Sequence, residues 1–216
     1  MVSVIIVMAG SGTRMGYNEN KVLLPLANKP IFMHSYDLFK SLGYEVILVV
    51  RECDLDIINQ MNLDAKIIVG GKSRSESVYN GLSLCSNDIV LVHDAARPFI
   101  SKEKIIECVS LIDDNNGVFV GKKAVDTIRQ IQNNTLVTLD RNSLICAQTP
   151  QGAKKQILDN AYILEKENGF LSTDEMSIIE KYSNVSIKVV IGNDENFKIT
   201  TKSDYAVAKE MVGDFS

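Results

Sequence analysis

An apolar run, Val4-Ile5-Ile6-Val7-Met8, feeds straight into Ala9-Gly10-Ser11-Gly12-Thr13-Arg14-Met15-Gly16 and on to Lys21. Few folds accommodate that junction. Apolar β-formers from Val2 to Val7 predict a strand buried on both faces. The glycines then let the backbone turn sharply and approach a ligand closely. Such a loop can cradle phosphates with its N–H groups, and Arg14 and Lys21 add two cations suited to an anionic ligand. A Walker loop would close with Gly-Lys-Ser/Thr, which is not found here. A dinucleotide fingerprint would bring the third glycine one place earlier and open directly into a helix.

The segments that follow alternate. Helical spacing runs from Ile31 to Leu42 and stops at Gly43, followed by a strand at Val46 to Val50. After the irregular stretch Asp54 to Asn62 comes a strand at Lys66 to Val69, then Gly70-Gly71. Ser73-Arg74-Ser75-Glu76 reads as a capping box for a helix through Leu84. The next strand, Ile89 to Val92, carries His93-Asp94-Ala95-Ala96-Arg97-Pro98 at its end. Asp94 and Arg97 could simply brace a turn as an ion pair, but charges at the carboxyl end of a buried strand also suit a ligand cleft. His34 reads as a packed or surface histidine without chemistry. Ser101 caps a helix to about Asn115, and Val118 to Val120 makes a further strand.

This alternation predicts a mostly parallel sheet with helices on both faces. The pattern breaks at residues 126–132 and 135–139, which flank Asn133-Asn134 as a β-hairpin. A hairpin between parallel strands has no place in the core. It should project as an arm and pack on something, such as a second subunit. Beyond it come Gln148-Thr149-Pro150-Gln151-Gly152, a helix from about Lys154 to Asn168, and Ser172-Thr173-Asp174-Glu175, read as a second capping box. A strand at Ser186 to Ile191 and a last helix starting at Ser203-Asp204 complete the chain.

With 216 residues, 45% of them hydrophobic, the chain can form one domain, 1–216, carrying a dimerisation arm at about 122–146. A net charge of −4 argues against general nucleic-acid binding, so a polyanionic ligand needs a local cluster of cations. The four cysteines, Cys53, Cys85, Cys108 and Cys146, lack C-x-x-C spacing and have only two histidines for company. They read as reduced core thiols of a cytoplasmic protein. No segment suits a membrane span or a signal peptide.

The loop resembles the signature of nucleotidyltransferases with a Rossmann-like fold, and further motifs narrow the resemblance. They are Gly70-Gly71 with Arg74 and Ser77, His93 to Pro98, Asp126-Thr127, Asp140-Arg141, Thr149 to Gly152, Thr173-Asp174-Glu175 and Phe197-Lys198-Ile199-Thr200. In this order they resemble the 2-C-methyl-D-erythritol 4-phosphate cytidylyltransferases over nearly the whole chain. The resemblance implies a Rossmann-like α/β fold and transfer of a cytidylyl group from CTP to a polyol phosphate in a homodimer. It places Arg14 and Lys21 on the triphosphate, and Ala9, Gly10, Gly12, Gly71, Ser77 and Ala95 around the nucleotide. Asp94, Arg97, Thr127, Arg141, Thr149, Thr173 and Lys198 would line the acceptor pocket. Mg²⁺ would be held mainly by the CTP phosphates, with its protein ligand unknown. No protein nucleophile is required, because a phosphate monoester largely carries its second charge at neutral pH.

Three positions depart from the family pattern: Met8, Lys72 and Lys123-Ala124-Val125. The last is similar to ribitol 5-phosphate cytidylyltransferases, an alternative acceptor class. A non-catalytic nucleotide-binding or regulatory protein is a third reading, disfavoured by the pairing of Arg14 with Lys21. An oxidoreductase would need a ribose-binding acid, for which Glu52 is a late candidate.

Overall fold

A computed structural model describes residues 1–10 and 20–213. Its centre is a seven-stranded sheet in the order β11-β7-β10-β6-β1-β4-β5. In chain order these strands are β1 (Val2–Val7), β4 (Glu45–Val50), β5 (Lys66–Val69), β6 (Ile89–Asp94), β7 (Asn116–Lys123), β10 (Ile145–Lys154) and β11 (Ser186–Ile191). All run parallel except β10, which is antiparallel to both β6 and β7. The helices are α1 (Ile31–Ser41), α2 (Leu55–Gln60), α3 (Arg74–Leu82), α4 (Lys102–Ser110), α5 (Lys155–Glu167), α6 (Glu175–Tyr182) and α7 (Lys202–Met211).

Side-chain alternation on the central strands builds one core on each face. Val4 and Ile6 of β1 and Leu48 of β4 face Phe32 and Phe39 of α1, Ile58 of α2 and Ile105 of α4. Ile5 and Val49 face Val78 of α3, Leu158 of α5 and Ile179 of α6. Val4, Ile5 and Ile6 are all 0% exposed, so each contributes roughly 2–3 kcal/mol of burial and a polar residue at any of them would unfold the centre. A small third cluster joins Leu26 and Ile31 to Ile199 and to Ala208 of α7. Pro25–Leu26 (β2) and Lys29–Pro30 (β3) form a minimal pair closed by Ala27 and Asn28 at φ 46° and 65°.

The hairpin is present as β8 (Arg129–Gln132) and β9 (Thr135–Thr138), a separate two-stranded sheet. Asn133 and Asn134 both have positive φ, 47° and 64°, as a tight twisted hairpin turn requires. Every residue of both strands is exposed, including Ile131 and Leu136.

Five details differ from the sequence reading, the first being that the stretch Asp54 to Asn62, read as irregular, holds α2. Gln148 to Gly152 lie in a central strand, where Pro150 would not be expected; its register shifts between Ala147 and Gln151, which spares Pro150 a regular ladder position. The helix capped by Ser101 ends at Ser110, and Asn116 already starts β7. The N-cap of α6 is Asp174, reciprocated by Ser177, which leaves Glu175 free for another role. Only Cys85 and Cys108 are core thiols, with burial pushing each up to about 12, whereas Cys53 and Cys146 are exposed. Among the described residues no helix is long and apolar enough to cross a membrane.

Candidate active site

A cavity of about 410 Å³ opens at the carboxyl ends of β1 and β6. That is where an open parallel sheet offers room, because the following loops diverge. Val7 to Gly10 form one wall and Asn20 to Val22 another. Gly71 to Arg74 and Ser77 form a third, with Asp94, Ala96 and Lys198 opposite. Of the residues expected around a ligand, the structure brings Ala9, Gly10, Lys21, Gly71, Ser77, Asp94 and Lys198 to this cavity. Gly12 and Arg14 lie outside the described residues.

Asp94 is the hub. Its carboxylate is 2.9 Å from Lys198 Nζ, 3.3 Å from Arg74 Nε and 3.4 Å from Arg97 Nε. Burial alone would push the carboxyl up, but these cations overcome it and hold Asp94 well below the ordinary carboxylate range. The Asp94–Arg97 pair of the sequence reading is therefore real; Asp94 lines the cavity, and Arg97 stands behind it without lining it. Lys198 arrives there because the chain after β11 is stitched to the end of β6. Ile199 N donates to Ala96 O at 2.8 Å, Arg97 Nη1 donates to Asn196 O at 2.8 Å, and Asn196 Nδ2 donates to Thr149 O at 2.9 Å.

Behind the wall, Thr149 Oγ1 accepts from Asp94 N at 3.0 Å and lies 3.1 Å from His93 Nδ1. Arg97 O, 3.0 Å from Nε2, can only accept, so the neutral His93 ring carries its proton on Nε2 and its Nδ1 accepts the Thr149 hydroxyl proton. Burial lowers His93 to about 4, keeping this ring neutral. Thr149 and Ala95, whose N–H donates to Val7 O at 3.2 Å, thus brace the wall instead of lining the cavity.

Ser77 likewise works locally: its hydroxyl accepts from Gly71 N at 3.0 Å and donates to Ser73 O at 2.8 Å. Gly70 is needed for close approach, since a Cβ there would come within 2.5 Å of Ala9 Cβ. Thr127, Arg141 and Thr173 are exposed and do not line the cavity; Arg141 donates to Val125 O at 2.9 Å within the arm. Glu52 lines a neighbouring hollow of about 470 Å³ together with Arg51. His34 Nε2 lies 2.9 Å from Leu26 O, away from the cavity.

The sequence reading named Arg74 and Glu175 within motifs but placed neither in the site. Glu175, fully buried, receives Arg74 Nη1 and Nη2 at 2.7 and 3.1 Å and Tyr162 Oη at 3.2 Å. The ion pair fixes Arg74 with its Nε toward Asp94 and raises the guanidinium further above its ordinary value. These partners are 101 residues apart, so no local pattern announces them. Lys72 also lines the cavity, giving four cations there, Lys21, Lys72, Arg74 and Lys198, against Asp94 as the one carboxylate among the described lining residues.

A basic cavity at the strand ends of a net-acidic Rossmann-like α/β protein suits a polyanion. The family model of 2-C-methyl-D-erythritol 4-phosphate cytidylyltransferases matches residues 2–214. The chain is 36% identical to the enzyme of that name from Aquifex aeolicus, covering 99% of this chain and 98% of that protein. It is also 36% identical to the one from Clostridioides difficile, covering 98% and 94%. The crystal structure of 4-diphosphocytidyl-2C-methyl-D-erythritol synthase from Anaerococcus prevotii superposes with a TM-score of 0.86 at 28% identity, covering 98% of each chain. The chain belongs to the 2-C-methyl-D-erythritol 4-phosphate cytidylyltransferase family.

Proposed function

We infer that the protein transfers the cytidylyl group of CTP to 2-C-methyl-D-erythritol 4-phosphate, releasing pyrophosphate. Family membership over nearly the full chain supports the reaction, and the cavity supports the roles. An oxygen of the acceptor phosphate attacks the α-phosphorus of CTP, and the bond to the bridging oxygen of the pyrophosphate breaks. Both reactants are anions, so the work is to offset their repulsion and the charge that builds in the transition state. Lys21, with Arg14, takes the triphosphate side, and Lys198 and Arg97 take the acceptor side. Ala9, Gly10, Gly12, Gly71 and Ser77 shape the nucleotide subsite. Asp94, held ionised, can only accept hydrogen bonds, which suits the hydroxyls of a polyol.

Mg²⁺ prefers hard oxygen ligands, and since Asp94, the one carboxylate among the described lining residues, is already taken up by three cations, the ion would be held mainly by the CTP phosphates. When bound, the ion would neutralise phosphate charge. The assay is pyrophosphate release with CTP and either polyol phosphate. Release with methylerythritol phosphate alone supports this reading; release with ribitol 5-phosphate alone overturns it.

Thr127 and Arg141 sit on an exposed arm with uncovered Ile131 and Leu136, a surface suited to a second copy of the chain. In such a homodimer the arm of one subunit reaches the cavity of the other. Lys21→Ala and Arg141→Ala chains, each inactive alone, should regain activity when refolded together, because one site of the mixed dimer receives both intact residues. Mixed dimers without activity would exclude a shared site.

A further inference from the structure

At the cavity wall that carries Asn20, three polar side chains form a run of bonds that neither the reaction nor the motifs account for. Asn20 is 1% exposed and Asp54 is 6% exposed, both in a region otherwise packed with apolar side chains. Both polar atoms of the Asn20 side chain are engaged there. One Nδ2 hydrogen goes to Met8 O at 2.8 Å and the other to Asp54 Oδ2 at 2.8 Å, while Oδ1 accepts from Val22 N at 3.4 Å. Asp54 is in turn gripped by Arg51, Nε to Oδ2 at 2.6 Å and Nη2 to Oδ1 at 2.7 Å.

The bond partners show what this arrangement holds. Met8 follows β1, and Lys21 to Leu23 form a single 3-10 turn for which Asn20 is the N-cap. Asn20 therefore ties the end of β1 to the backbone that carries Lys21, although Met8 and Asn20 are 12 residues apart. Asp54 and Arg51 anchor the tie to the segment after β4, the neighbouring strand. Burying an amide and a carboxylate is costly unless every polar atom is met, and here each is. A cap alone would need only the Asn20 oxygen. The two Nδ2 bonds and the buried carboxylate exceed that requirement, and their effect is to fix the position of Lys21 relative to Met8, Ala9 and Gly10 on the cavity wall.

We propose that Asn20, Asp54 and Arg51 are positioning residues that hold Lys21 at the triphosphate side of the cavity, an inference that rests on the nucleotidyl-transfer reading. Asp54 and Arg51 act through Asn20 and touch no reacting atom.

A double-mutant cycle tests this with Asn20→Ala, the near-isosteric Asp54→Asn, Lys21→Ala and the doubles, using steady-state kinetics and calorimetry of CTP with Mg²⁺. Asn20→Ala should lower kcat/KM for CTP by about 10- to 100-fold, and Asp54→Asn by about 5- to 20-fold. The acceptor KM should change less than about threefold. In the Lys21→Ala background either change should cost less than about threefold more, because the residue being positioned is gone. Thermal melts check that each variant is folded, and Asp54→Asn serves if Asn20→Ala is not. Multiplicative losses in the Lys21→Ala background, or a rise in acceptor KM equal to that for CTP, would overturn the proposal and leave the three as ordinary packing. If the parent releases no pyrophosphate, the reaction assignment fails separately. The same cycle is then read in CTP affinity, and absence of CTP binding by the parent overturns both.

Discussion

The two ends of the central sheet each carry a carboxylate held in its ionised form, and they are built differently. At the amino end, Glu45 of β4 accepts from Ser3 Oγ, from Ser86 N at 2.9 Å and from Asn87 Nδ2 at 3.4 Å, with one cation, Lys66 Nζ, at 2.6 Å. At the carboxyl end, Asp94 of β6 meets three cations, and two of them also line an open cavity. In the first cluster, acceptors and donors balance and the group is closed. In the second, positive charge exceeds negative charge on a face with room for a ligand. Cation surplus beside open volume, and not the depressed carboxylate itself, separates a binding site from a structural brace.

That contrast is tested most severely by removing each charge in turn. Asp94→Asn, nearly isosteric, should lower kcat/KM by about 10²- to 10³-fold, because the orientation of Arg74, Arg97 and Lys198 and the acceptor for a polyol hydroxyl are lost together. Glu45→Gln should leave kcat/KM within about twofold. The measurement is pyrophosphate release at saturating and limiting acceptor. Equal losses in the two variants would break the comparison.

What the sequence made legible follows the same division. β1, β4 and β6 could be read because strands buried on both faces are continuous apolar runs, and the half-buried edge strand β5 because Ile67-Ile68-Val69 is such a run too. The arm could be read because Asn-Asn suits two successive positive φ angles. β10 could not, because its polar residues serve distant partners. Gln151 Nε2 reaches Asp174 Oδ2 at 3.0 Å and its Oε1 accepts from Met176 N at 3.2 Å, tying the strand to α6. In the site, Lys21 and Asp94 stood out as charges near a glycine loop or a strand end, and Lys198 through the family resemblance alone. Their supports did not: Glu175 for Arg74 and Asp54 for Asn20 act across long stretches of chain, and local spacing carries no trace of them. The one local sign was Arg51-x-x-Asp54, a spacing that occurs by chance in many chains.

Acid should sharpen the comparison by striking the two ends in different pH windows. His93, behind the cavity wall, is lowered to about 4 from 6.5 because burial disfavours its charged form. Between those values the unfolded chain binds more protons than the folded one, so stability falls as the pH drops from 6.5 to 4. A loss of about 2–3 kcal/mol is expected across that window, read from urea unfolding at successive pH values. His93→Gln should flatten the slope. With only two histidines, NMR can follow the ring directly, and a His93 midpoint near 6.5 would refute the account.

The smallest effect belongs to Glu45, and its window lies lower. Burial by itself would raise this carboxyl, but Lys66, Ser3 and Ser86 together hold it down to about 2 from 4.5. A lowered carboxyl contributes stability that is complete above its unfolded value and is lost as the pH falls from 4.5 toward 2. The side chain is 18% exposed and Lys66 is 46% exposed, so solvent screening reduces the gain to about 1 kcal/mol. The difference in unfolding free energy between the parent and Glu45→Gln should therefore be constant above about pH 5 and shrink below it. His93 is common to both proteins, so its contribution cancels in the difference. A gap that stays constant down to pH 2 would mean that Glu45 acts through its hydrogen bonds alone. The amino-end cluster would then not depend on charge, and the ionised carboxylate would be a feature of the cavity end only.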